Sequence, residues 1–61
     1  MIPAKIIEIS DKVIVKYGDI IAEVENIKVE EILPAEWDFM KVGLRVFIEL
    51  TENGKCKIVK I

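Results

Sequence analysis

The sequence predicts an all-β fold, a small five-stranded Greek-key barrel formed by one domain over residues 1–61. Three observations carry that expectation. Apolar residues recur with period two in short runs, the spacing of a half-buried strand rather than a helix. Turn residues separate most of these runs at short intervals. The chain also has no His and a single Cys, so neither a disulfide nor a four-ligand zinc site can staple it. A chain this short buries only about 60% of its unfolded surface, which makes closure of the sheet on itself valuable.

The elements follow in order. Lys5-Ile6-Ile7-Glu8-Ile9 forms a first strand, ended by Ser10-Asp11. Lys12 to Tyr17 forms a second, with Val13, Val15 and Tyr17 on one face. Gly18-Asp19 fits a two-residue hairpin loop in which Gly supplies a positive φ. Ile20 to Glu25 returns as a third strand, Ile20, Ala22 and Val24 pointing one way and Ile21, Glu23 and Glu25 the other. Asn26 to Glu30 is expected either to extend that strand past a bulge or to begin a short separate one. Alternation breaks from Glu31 to Met40, where Pro34-Ala35-Glu36-Trp37 suggests a Pro-initiated helical turn. Leu44 to Leu50 is a fourth strand, joined through Asn53-Gly54 to a fifth, Lys55 to Ile61.

Five strands with a short helical or irregular insert between the third and fourth predict an OB-fold-like barrel, with an SH3-like barrel as the alternative. The expected inward face comprises Leu44, Val46, Ile48 and Leu50 with Val13, Val15, Ile20, Ala22 and Val24. Apolar residues left outside, Ile14, Ile21 and Phe47, join Trp37 and Phe39 of the insert as a candidate interaction surface.

The chemistry is sparse. Cys56 alternates with Lys55 and Lys57, whose side chains point to the other strand face, so it is expected to be a small, partly buried apolar residue rather than an activated thiolate. Glu23/Glu25 and Glu30/Glu31 fit solvated faces better than an acid–base pair across a cleft. Gly18, Gly43 and Gly54 are isolated turn glycines and not a phosphate-binding loop. No catalytic residue, cofactor or metal ligand is assigned.

Eleven acidic against nine basic residues give a net charge of −2 and argue against a dedicated nucleic-acid binder. Lys55, Lys57 and Lys60 are expected to be solvated strand lysines that discourage edge pairing. No uncharged stretch approaches the ~20 residues of a membrane span, and Met1 to Lys5 does not resemble the start of a signal peptide. A soluble, cytoplasmic protein is expected. The Ile, Lys and Glu bias with no Gln suggests a thermophile.

The opening Ile2-Pro3-Ala4-Lys5-Ile6-Ile7-Glu8-Ile9, with Val15-Lys16-Tyr17-Gly18, Glu23-Val24, Lys41-Val42-Gly43, Arg45-Val46-Phe47-Ile48 and Gly54 to Ile61, resembles the HypC/HupF hydrogenase-maturation chaperones. That resemblance implies an OB-like barrel working through protein contact. It does not extend to iron handling. The family's Cys directly after the initiator Met is Ile2 here, and its His near the end of the fourth strand falls at about Glu49. The expected function is thus a non-catalytic protein-interaction or assembly module with a protein partner or a second copy. The alternative is an OB-type binder of single-stranded nucleic acid, stacking bases on aromatics such as Tyr17, Trp37, Phe39 and Phe47.

Overall fold

The computed structural model describes residues 1–31 and 41–61. Five strands make up most of them: β1 (Ile2–Ile9), β2 (Val13–Tyr17), β3 (Ile20–Val24), β4 (Arg45–Glu52) and β5 (Lys55–Lys60). They close into a barrel in the order β1-β2-β3-β5-β4, the OB-fold-like Greek key that the strand pattern predicts. Every contact is antiparallel except the β3–β5 seam, which is parallel. The expected Pro-initiated turn, with Trp37 and Phe39, lies outside the described residues.

Alternation builds the core. Ala4 and Ile6 of β1, Val13 and Val15 of β2, Ala22 and Val24 of β3, Val46 and Ile48 of β4, and Cys56 and Ile58 of β5 are all buried. Among the described residues no buried one is polar or charged. In β1 strict alternation from Ile6 would turn Glu8 inward and Ile9 out. A bulge prevents this: Ile6 pairs with Val15 but Glu8 pairs with Ile14, leaving Ile7 as the extra residue. Ile7 and Glu8 then both lie exposed, and Ile9 packs against the core opposite Val13.

Pro3 is tolerated within β1 for a related reason. The Ile6 N–H donates to Leu44 O at 2.9 Å, so even-numbered peptides ahead of the bulge face β4 and odd-numbered ones face β2. Pairing with β2 reaches only Lys5, so the N–H that Pro3 lacks has no ladder partner to lose.

Three expectations are corrected. Leu50 is 52% exposed, because β1 pairs with β4 no farther than Ile2↔Ile48 and Leu50 stands one side-chain period beyond that last pair. Ile20 is 55% exposed, because it closes the β2–β3 hairpin opposite Tyr17 and β5 does not meet β3 until Glu23. Finally, Asn26 to Glu30 neither extends β3 nor makes a new strand; β3 ends at Val24, and Val29–Glu31 form a single 3-10 turn.

Asn26 explains why β3 stops there. Its side-chain Nδ2 donates to Ile58 O at 2.9 Å, and its Oδ1 accepts the Ile58 N–H at 3.0 Å. One amide side chain thus replaces a peptide unit and prolongs the seam beyond the backbone bonds Glu23 N–H to Gly54 O and Glu25 N–H to Cys56 O, both 2.9 Å. The chain is thereby free to leave the sheet while β5 keeps its partner. Among the described residues no helix is long and apolar enough to cross a membrane.

Candidate functional site

The barrel's outer surface carries three shallow depressions formed by described residues. The first, of about 170 Å³, is lined by Ile14, Ile21, Ala22, Glu23 and Gly54. Ile21 is 59% exposed and Ile14 half-buried, so two of the expected surface residues adjoin on β2 and β3. Phe47, 38% exposed, does not join them. It lies on β4 between Pro3 of β1 and Lys60 of β5, and β1 separates it from the strand that carries Ile14. Trp37 and Phe39 lie outside the described residues.

No described residue covers the Ile21 edge. Glu23 and Glu25 direct their N–H groups to β5, and the two-residue period places the peptide groups of Ile21 on that same edge. Paired contact with β5 begins only at Glu23↔Lys55. Ile20 and Ile21 are therefore exposed apolar side chains on a strand edge that carries no charge until Glu23.

A second depression, about 270 Å³, holds residues that are remote in sequence. Register places Lys5 directly opposite Lys16 on one side and directly opposite Arg45 on the other. All three are exposed, and Pro3, Tyr17 and Gly18 complete the rim. At a strand spacing of about 4.8 Å, three cationic side chains spring from backbone within roughly 10 Å of one another. Neither of the two ion pairs among the described residues, Lys12–Glu23 and Lys55–Glu52, both 3.5 Å, involves them.

Carboxylates gather elsewhere. Asp11, Glu23, Glu25 and Glu30, with Lys12 and Lys28, line a third depression of about 280 Å³. It lies toward the β1–β2 turn, whereas the cationic row borders the β2–β3 turn at Gly18. The net charge of −2 averages over this separation, so composition gives no sign of it. Positions 5, 16 and 45 form no motif either, and only the hairpin and β1–β4 registers bring them together.

Cys56 is fully buried, deeper than the partly buried position expected for it. Burial pushes its thiol above the ordinary value, and the charge of Glu25 pushes in the same direction. Both effects hold the sulfur protonated and poorly nucleophilic at neutral pH.

No family model, curated protein or solved structure matches the chain.

Proposed function

We propose that this barrel is a non-catalytic protein-interaction or assembly module that associates through the open end of β3. The observation that carries the reading is the exposed Ile20-Ile21 edge, whose peptide groups no described strand pairs at Ile21, with a half-buried Ile14 beside it. Edges of this kind add a strand from another chain, main-chain bonds giving affinity and alternate side chains giving specificity. The finer reading is a cytoplasmic module from a thermophile, on the HypC/HupF scaffold without its metal handling. It rests on the sequence segments quoted above.

The simplest occupant of the edge is a second copy, its β3 antiparallel to the first. Sedimentation velocity at micromolar concentration tests this. The unmodified chain is expected to sediment as a dimer and Ile21→Glu as a monomer of unchanged thermal stability. A chain that stays monomeric, or an Ile21→Glu variant that still dimerises, defeats self-association through this edge. The maturation-chaperone version further expects hydrogenase-assembly proteins to co-purify from a hydrogenase-bearing host.

A further inference from the structure

We infer that the outer face of β2, β1 and β4 is a binding site for the phosphodiester backbone of a single-stranded nucleic acid, with Lys5, Lys16 and Arg45 as the phosphate-binding row and Phe47 as a base-stacking platform. Like charges directly opposite on neighbouring strands destabilise a sheet, and here the arrangement occurs twice along one line, Lys16↔Lys5↔Arg45. Nine basic side chains distributed among eleven acidic ones give ample opportunity for mixed pairing. The sheet uses it elsewhere: Glu49 faces Lys57 and Glu23 faces Lys55. On the row itself no described carboxylate is paired with a cation. An anionic ligand is the natural counter-charge.

Its class follows from what surrounds the row. β1 is paired on both sides at Lys5, so an acidic peptide finds no free backbone there to extend as a strand. The next outward position on β4 beyond Arg45 is the exposed Phe47, with Lys60 directly across on β5. Tyr17, at the opposite rim, shares the inward face of Val13 and Val15 and packs half-buried against the core, so Phe47 is the stacking platform. Cations that track a backbone, interleaved with aromatic faces, are what single-strand binders use, because every base offers a π-face. The face is also open and shallow, which suits a strand laid across it better than a small enclosed anion. Asp19 in the neighbouring turn is the closest acidic residue in sequence to Tyr17 and lies off the paired row.

Fluorescence anisotropy of a labelled oligothymidylate, titrated with the whole chain at ~50 to 200 mM salt, tests the site. Three phosphate contacts predict a log–log salt slope near −2, at about −0.7 per contact for a single strand. The triple variant Lys5→Gln/Lys16→Gln/Arg45→Gln should lose at least about tenfold in affinity at ~50 mM salt and most of that slope. Its melting temperature should hold or rise, since repulsion is removed and no buried group is touched. Phe47→Ala should weaken binding by about tenfold with the slope unchanged. Lys57→Gln, outside the row, should bind as the unmodified chain does. Absence of binding at ~50 mM salt, an unchanged slope in the triple variant, or equal binding of poly-glutamate overturns the assignment. Ile21→Glu would set a carboxylate directly opposite Lys16, so the binding titrations use only the row, Phe47 and Lys57 variants, and failure of the dimer and failure of this site are separately visible.

Discussion

At the residue scale Asn26 does the most with the least. Its amide makes two hydrogen bonds to a single backbone unit, Ile58, as a neighbouring strand would. At roughly 1 kcal/mol net per bond, Asn26→Ala should cost about 2 kcal/mol, seen as a lower urea midpoint with little change in slope. Asn26→Asp keeps an acceptor for the Ile58 N–H but loses the donor to Ile58 O, and so should destabilise too. Nothing in the sequence singles out this asparagine. Its partner is 32 positions away and its role exists only once the seam is in register.

The strands themselves were far more legible. Period-two alternation located all five, and Val13, Val15, Ala22, Val24, Val46 and Ile48 face inward as that alternation requires. Leu50 and Ile20 obey the same alternation yet are exposed, because the sequence records which face a residue takes and not how far the neighbouring strand extends. Side-to-side registry also decided the charge pattern. Lys5, Lys16 and Arg45 meet only through two independent pairings.

Turns show a finer limit. Asn53-Gly54 suggests the hairpin turn with positive φ at both central residues, but only Gly54 has it, at +77°. The β4–β5 ladder slips between Leu50 and Glu52, and that irregularity supplies the remaining geometry. A Cβ at Gly54 would meet nothing within 4 Å, so substitution there isolates backbone strain. Gly54→Ala should cost about 1–2 kcal/mol in thermal or urea unfolding, and Gly54→Asn less, because Asn tolerates the left-handed region better.

For the whole molecule, the margin is narrow. A 61-residue domain has about 3–9 kcal/mol of stability at ordinary per-residue values. Ile48 is completely buried and pairs with Ile2 on one side and Ile58 on the other. Ile48→Ala should remove about 2–5 kcal/mol, a large share of that margin, and lower the melting temperature steeply. Ile48→Val should cost about 1 kcal/mol and remain folded, so circular dichroism melts of the pair separate cavity formation from general intolerance of the site.

The parallel seam also has a meaning in time. The β1–β2 and β2–β3 hairpins and the β4–β5 hairpin join strands adjacent in sequence, while β3 meets β5 through two paired residues and one borrowed amide. Loops of that length must be closed before so few bonds are gained, which places the seam late in folding. A late contact governs how fast the native state is left more than how fast it is reached. The Asn26→Ala loss should accordingly emerge as faster unfolding at a nearly unchanged refolding rate, and the lifetime of the closed barrel would then depend on a residue that contributes nothing to its core.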